Sequence, residues 1–429
     1  MTALSAISSL FFHLFHWAHL RPTILVIFIA TYLGIAIGRV PGLKLDRTGI
    51  VILGAIAMMV FGGFPITQIM GFVNWPTILL LFGFFVISAQ LRLSGLFDAV
   101  AGSLAQRLGN PGGFLMLLMI ATAGLSAFLN NDIVCFVFTP IVGAALLSRN
   151  LNPVPFLIGI AVASNIGAAA TSVGNAQNMM IAQVAGLGFG HYVLWCFPPV
   201  AFALLCAFGV IWVLSHRHFV AQVATAGSPS TPAVAPRPFN RGHTLKGLLI
   251  LVVVIALFFT SLPKELVALT AAGIHLASRK FRTEDLLGLV DWSLLVLFMG
   301  LFVVTGVFQE TGYGVQAMQG LARMGLHLQS LPTLVGVTAA LSNLINNSAA
   351  VMLLLKVANV AHPPAAYVLA LANSLGGSFF ILGSVANIIV VEQARALSID
   401  ISFRDFARLG IPVTLVALAG LIGWVALVT

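Results

Sequence analysis

Charge is scarce in this chain. Only 7% of its 429 residues are charged while 60% are hydrophobic, and the mean hydropathy is +1.07. A soluble domain carries about a quarter charged residues, so an ordinary soluble fold is excluded. Cysteine is equally thin. The three cysteines, Cys135, Cys196 and Cys206, form no CxxC pair, which excludes a disulfide framework and a thiolate metal centre. Carboxylates are outnumbered by Lys and Arg, 11 to 20, for a net charge of +9. The basic residues are scattered among short loops rather than gathered in one patch, so nucleic acid is not an expected partner. No Walker pattern occurs, so the chain has no nucleotide-hydrolysing module of its own. Period-2 alternation is missing, which argues against a membrane β-barrel, and no signal peptide with a small-residue cleavage site is evident.

What is present is a series of apolar segments, among them Thr23 to Ile37, Pro76 to Ala89, Leu248 to Phe259 and Pro412 to Val428. Most approach the ~20 residues that a helix needs to cross a bilayer. The first half then reappears in the second. Trp75, Gly83 and Gly95 answer to Trp292, Gly300 and Gly312 at a displacement of 217. Ser126-Ala127-Phe128-Leu129-Asn130-Asn131 answers to Ser342-Asn343-Leu344-Ile345-Asn346-Asn347 at 216, and Gly167, Gly174 and Asn178 answer to Gly376, Gly383 and Asn387 at 209. The matches cluster where small polar residues interrupt an apolar run, which in a membrane chain points to the substrate site of a secondary transporter.

Residues 1–22 read as an interfacial segment, with His13, His16 and His19 at headgroup level. Residues 23–216 form the first repeat and 244–429 the second. The stretch 217–243, rich in Pro, Ser and Ala, is a flexible linker. Within the first repeat the expected spans are near 23–39, 48–62, 76–92 and 192–214. Between the last two lie two broken pairs, 113–128 with 133–147 and 156–169 with 175–185. The second repeat gives the same series near 245–262, 265–279, 293–309, 331–345 with 349–358, 364–377 with 383–394, and 411–428. If the pair split at Asn130 is a re-entrant hairpin and the pair split near Thr171 one interrupted crossing, each repeat crosses five times. Sixteen of the 20 Lys and Arg residues then share a face, which the positive-inside rule makes cytoplasmic. Arg21, Lys264, Arg323 and Lys356 are left on the other. An odd number of crossings inverts the second copy. The fold class is therefore an all-α polytopic membrane protein of two inverted-topology repeats, with about ten membrane helices and two hairpins. Both termini then lie outside and the linker 217–243 is cytoplasmic.

Where a helix breaks, free N–H groups and partial positive charge suit an anion, while free carbonyls suit a cation. The first hairpin tip supplies Ser126, Asn130, Asn131 and Asp132, and the second Ser342, Asn346, Asn347 and Ser348. The first interrupted helix supplies Ser164, Asn165, Thr171, Gly174, Asn175 and Asn178. Its counterpart supplies Asn373, Ser374, Gly376, Gly377, Gly383, Ser384 and Asn387. These are the expected substrate-binding positions, set against the plainer role of small residues in helix packing. Asp132 is the carboxylate expected at membrane depth. It either exchanges a proton, with Asn131 and Ser348 as ion-coupling neighbours, or caps the helical arm that begins at Ile133. Glu310 and Lys356 are expected to snorkel to the interface, and Arg92 to join the basic rim.

The tip Phe128-Leu129-Asn130-Asn131-Asp132, followed by Thr139-Pro140-Ile141, resembles the arsenite permease pattern of an Asn-Asp tip ahead of Thr-Pro-Ile. Gly174-Asn175-Ala176-Gln177-Asn178 and Gly383-Ser384-Val385-Ala386-Asn387 resemble signatures of bacterial anion permeases in the ion transporter superfamily. That group spans arsenite, citrate and divalent-anion/sodium symporter families and some sodium/proton antiporters. The likeness covers nearly the whole chain apart from the linker and the first twenty residues. It implies a scaffold domain and a moving transport domain, elevator-type motion and often a homodimer. A soluble ATPase partner is implied only for the arsenite permease branch. Sodium-coupled dicarboxylate members carry Ser-Asn-Thr tips, whereas these tips read Asn-Asn-Asp and Asn-Asn-Ser.

The expected function is secondary active transport of a small anion, an inorganic oxyanion such as arsenite or a short carboxylate. No cofactor is expected beyond a coupling proton or sodium ion, and the other partner is the bilayer itself. A sodium/proton antiporter on the same scaffold and a channel are the alternatives. A membrane-embedded enzyme is not expected, since Asp132 has no repeat-matched carboxylate.

Overall fold

The computed structural model describes residues 22–38, 44–107, 109–218, 237–278, 280–323, 325–358 and 363–429. The N-terminal histidines and most of the expected linker lie outside them. Every regular element among the described residues is helical. In chain order the first half runs α1 (Pro22–Ile37), α2 (Arg47–Phe61), α3 (Ile66–Phe72), α4 (Trp75–Leu93), α5 (Leu96–Ala105), α6 (Pro111–Ser126), α7 (Asn131–Ser148), α8 (Val154–Ala168), α9 (Ala176–Val184) and α10 (Phe189–Ser215). The second half runs α11 (Arg241–Leu257), α12 (Lys264–Leu276), α13 (Thr283–Leu287), α14 (Trp292–Glu310), α15 (Tyr313–Arg323), α16 (Leu331–Ile345), α17 (Asn347–Val357), α18 (Pro363–Gly376), α19 (Val385–Ala396) and α20 (Phe403–Val428). Five of them, α4, α7, α10, α14 and α20, are long and apolar enough to cross a membrane.

Asparagine sets where many of these helices begin. Asn74, Asn110, Asn130, Asn175, Asn240 and Asn346 are N-caps whose side-chain oxygens accept backbone N–H groups two or three residues on, at 2.8–3.2 Å. An Asn side chain satisfies a donor that the first helical turn leaves without a partner. Pro76 and Pro111 stand inside the first turns of α4 and α6, where a missing N–H costs nothing. Gly95 and Gly312 close α4 and α14 with φ of +78° and +75°, a left-handed turn that a Cβ disfavours.

Packing is reciprocal between the halves. Helix α4 lies along α12 while its counterpart α14 lies along α2; α6 lies on α8 as α16 lies on α18; α7 meets α19 as α17 meets α9; and α10 runs beside α20. Backbones approach closely at matched glycines. A Cβ at Gly167 would sit 2.3 Å from the Ala123 carbonyl oxygen, and one at Gly376 would sit 2.9 Å from Ala339 Cα. Ala123 and Ala339 are themselves equivalent positions. Lipid gives helices no hydrophobic reason to associate, so such small-residue contacts carry the association through dispersion.

The structure corrects the sequence expectation in three places. Short helices α3, α5, α13 and α15 occupy stretches left outside the expected spans. They are too short to be found by a search for spans, and they too come in repeat-matched pairs. Helix α20 begins at Phe403 and carries Pro412 inside it, well before the expected start at 411. A capping box between Ser402 and Asp405 starts it there. Lastly, Asp132 does not cap α7. Asn130 does, accepting the Asp132 N–H at 2.9 Å, which leaves Asp132 in the first turn with its carboxylate uncommitted to the helix.

Gly167→Ala should destabilise the detergent-solubilised protein by about 1–3 kcal/mol through overpacking against the Ala123 backbone. Gly124→Ala, where no neighbour lies within 4 Å, should leave thermal unfolding unchanged or raise its midpoint slightly. Equal midpoints for the two variants would contradict this account of the α6–α8 contact.

Candidate substrate site

Two interruptions, between α8 and α9 and between α18 and α19, lie back to back and hold each other. Asn165 Nδ2 donates to Asn387 Oδ1 at 2.9 Å, and the repeat-equivalent Ser374 hydroxyl donates to Asn178 Oδ1 at 3.4 Å. Asn175 Nδ2 donates to Ser374 Oγ at 3.1 Å, and the equivalent Ser384 hydroxyl donates to Asn165 Oδ1 at 2.9 Å. Each half thus bonds the other through the same two positions. Asn165 also donates to Ser378 Oγ at 3.3 Å and accepts a long 3.5 Å contact from Asn131 Nδ2.

The free carbonyls at each break are satisfied in the same duplicated way. Asn178 Nδ2 donates to Ala168 O at 2.9 Å, and Asn387 Nδ2 donates to Gly377 O at 2.8 Å and to Phe380 O at 2.9 Å. Both asparagines are fully buried. Gly174 and Gly383 permit this folding back, since a Cβ on either would meet the Ala168 or Gly377 carbonyl oxygen at 2.3 or 2.7 Å. Thr171 ties the first break to the tip of α6 by donating to Ala127 O. Asn343 does the matching work in the second half, donating to Gly376 O at 2.7 Å.

The expected site residues therefore divide. Asn178, Asn387, Thr171, Gly174, Gly376, Gly377 and Gly383 shape the breaks. Ser164 is occupied by Cys135 and the Ala161 carbonyl, Ser342 by the Ala339 carbonyl, and buried Ser126 Oγ has no partner. Most of the rest come together. Asn130, Asn131 and Asp132 from the start of α7, Asn175 at the start of α9, Asn347 at the start of α17 and Ser384 before α19 line one cleft with Asn165 and Ser374. Four helix N-termini thus point into a shared space. Their orphan N–H groups and partial positive charge favour negative charge there. Asp132 is the one ionisable side chain among the residues lining the cleft.

The cleft has room for about one water, some 20 Å³, but it adjoins a vestibule of about 150 Å³ through Asp132, Leu294 and Val385. Asn346, Ser348, Arg47 and Asp291 also line that vestibule. Gln177 closes one wall of the cleft, its Nε2 donating to Ser348 Oγ at 2.8 Å. Buried polar atoms left over lie nearby in the chain: Asn347 Oδ1 and both amide atoms of Asn373, a residue with 0% exposure, have no partner. Asp291, Arg47 and Leu294 were not among the expected site residues. The signal for Asp291 was present in the alignment of Asn74-Trp75 with Asp291-Trp292, matched caps of matched helices.

An all-helical apolar body holding a polar cleft open to one vestibule defines a membrane transporter. The chain belongs to the citrate transporter family, whose profile matches residues 24–368. It is 30% identical to an uncharacterized transporter, Rv2684, of Mycobacterium tuberculosis, over 92% of this chain and 95% of that protein. It is 27% identical to the silicon efflux transporter LSI3 of Oryza sativa subsp. japonica, over 89% and 92%. The crystal structure of the YdaH transporter of Alcanivorax borkumensis shares the fold with a TM-score of 0.58 at 14% identity, covering 95% of this chain and 97% of that one. The family and these relatives are transporters rather than enzymes.

Replacing Asn165 by Ala orphans the buried Asn387 oxygen and the Ser384 hydroxyl together. The variant should lose about 2–4 kcal/mol of stability, read as a lowered thermal midpoint in detergent. Asn130→Ser, which keeps a capping oxygen, should lose less than about 1 kcal/mol.

Proposed function

We propose that this protein is a secondary active transporter that carries a small anion across a bacterial inner membrane. The cargo class is an inorganic oxyanion or a short carboxylate, and the driving force is a proton or sodium gradient. The observation that carries the reading is the convergence of the α7, α9, α17 and α19 N-termini on one cleft. Dipoles and neutral amides hold an anion there without a fixed countercharge, which keeps binding weak enough for release. The family's name carries citrate, itself a short carboxylate.

Inverted repeats with two re-entrant hairpins, α6–α7 and α16–α17, account for the reciprocal packing. They also account for the ends of α4 and α14. Asp291 and Ser293, at the start of α14, line the vestibule at the N-terminal end of α17, whereas the equivalent Asn74 and Pro76 line a cavity at its C-terminal end. Equivalent helices thus start beside opposite ends of α17, which supports an inverted arrangement. The cleft meets the vestibule through Asp132, Leu294 and Val385, an opening to one face such as a stage of an alternating-access cycle presents. In this reading 23–216 and 244–429 are the two repeats, 217–243 joins them in the cytoplasm, and Asp132 exchanges the coupling proton. A second reading, sodium/proton antiport, draws on the same acid, since Asp132 and amide oxygens can also hold a cation. It requires cation-dependent pH changes in vesicles with no anion supplied.

A thermal-shift panel on the purified protein with arsenite, sulfate, phosphate, citrate, succinate and sodium tests the cargo class. A true ligand at 100 times its Kd should stabilise by about 2.7 kcal/mol, and a panel in which sodium alone shifts the midpoint would favour antiport. Asp132→Asn should abolish pH-driven uptake in proteoliposomes while keeping the ligand-induced shift. Undiminished uptake would remove Asp132 from the coupling step.

A further inference from the structure

A second cavity, of about 300 Å³, lies apart from the cleft and its vestibule and shares no lining residue with either. Two helices connect it to the cleft. Helix α9 begins at the cleft with Asn175 and Ala176 and ends at the cavity with Val184; α17 begins at the cleft with Asn347 and ends at the cavity with Leu355 and Lys356. Nine and eleven residues long, they place it about 13–16 Å beyond the cleft, on the side away from the vestibule.

The two spaces differ in charge. Arg47 lines the vestibule together with the carboxylates Asp132 and Asp291. Lys356 is the one ionisable side chain lining the second cavity, whose other walls include Trp75, Phe302 and Met352. Among the described residues the ion pair present is Arg282–Glu284, so no carboxylate neutralises Lys356 within bridging distance. Lys356 is exposed where it lines this cavity, and a lone ammonium beside an apolar space gives that space a positive potential. Snorkelling accounts for the exposure of Lys356, and the cavity it lines is one that two cleft-forming helices share.

We infer that this cavity is an anion-capture vestibule serving the face opposite Arg47 and Asp291, and that Lys356 is its capture cation. The inference rests on the anion-transport reading above. It adds a second site that loads the cargo from the far side, with the positive charge that the cleft itself lacks. The acid-bearing vestibule is then the side on which an anion is repelled outward once Asp132 is ionised.

Charge-selective labelling tests this without knowledge of the cargo. In vesicles holding the full chain with Cys206→Ser and Val184→Cys, two membrane-impermeant methanethiosulfonates are compared, one bearing a sulfonate and one a trimethylammonium group. Val184 is 39% exposed, and the remaining cysteines, Cys135 and Cys196, are buried. The sulfonate reagent should be favoured, and Lys356→Gln, which removes a unit charge from the cavity that Val184 also lines, should lower the ratio of the two rates about fivefold. Lys356→Arg should restore it. A ratio that Lys356→Gln leaves unchanged, or a Val184→Cys thiol unreactive from both faces, would overturn the inference. With whichever anion the thermal-shift panel identifies, Lys356→Gln should raise KM from that face several-fold and leave kcat unchanged. If the panel finds no anion, the transport reading fails, while the labelling ratio still reports on Lys356.

Discussion

A helix opened inside a membrane exposes amides that neither lipid nor water can satisfy, and this protein opens two of them side by side. The cost of each exposed group is several kcal/mol. Asn178 and Asn387 meet it by reaching back across their breaks to the carbonyls of Ala168 and Gly377, and the Asn165–Asn387 and Asn178–Ser374 bonds join the two repairs into one network. Once the breaks are held, new N-termini appear at α9 and α19 in the middle of the molecule, where α7 and α17 already begin. The polar cleft is a consequence of that arrangement. Without the asparagine clamps the same segments would close into continuous helices, and their amides would bond along the chain rather than face a cargo.

The backbone is duplicated more faithfully than the chemistry. Asp132 stands where the second half has Ser348, Gln177 where it has Ala386, Asn165 where it has Ser374 and Asn175 where it has Ser384. At these four positions the larger polar group belongs to the first half, whereas Asn343 and Asn373 of the second half answer to Ala127 and Ser164. Asn131 reaches Asn165, whereas its equivalent Asn347 keeps an unpartnered oxygen and Asn373 two unpartnered amide atoms. One acid in a cleft formed by two halves gives a single titratable group to a site that symmetry would have doubled.

Electrostatics follows from what lines each space. Full positive charges stay at the margins, on Arg47 and Lys356, and the cleft offers helix ends and amides instead. In a low-dielectric body a fixed guanidinium at the centre would bind an anion too firmly to let it go, whereas partial charges on several N–H groups would hold one moderately. The same economy keeps the protein foldable, since a full charge needs a partner at membrane depth and a neutral amide needs only a hydrogen bond.

Much of this architecture is legible along the chain. Repetition at displacements of 217, 216 and 209, apolar runs broken by Asn and Gly, and near absence of charge determine an all-helical membrane body with two matched sets of interruptions. These are local properties, set by hydropathy, capping chemistry and the lack of a Cβ, so they need no knowledge of neighbours. The start of α7 at Asn131 and the short pairs α3 and α13, α5 and α15 escape such reading, because a cap and a brief helix are weak signals beside a long apolar run. Only the tertiary structure decides which interrupting residues face the cleft and which mend the backbone. Asn175 and Asn178 stand three apart in one motif, yet the first lines the cleft and the second is wholly buried against a carbonyl. Their division of labour depends on helices brought together from about two hundred residues away, and that distance is crossed only when the chain folds.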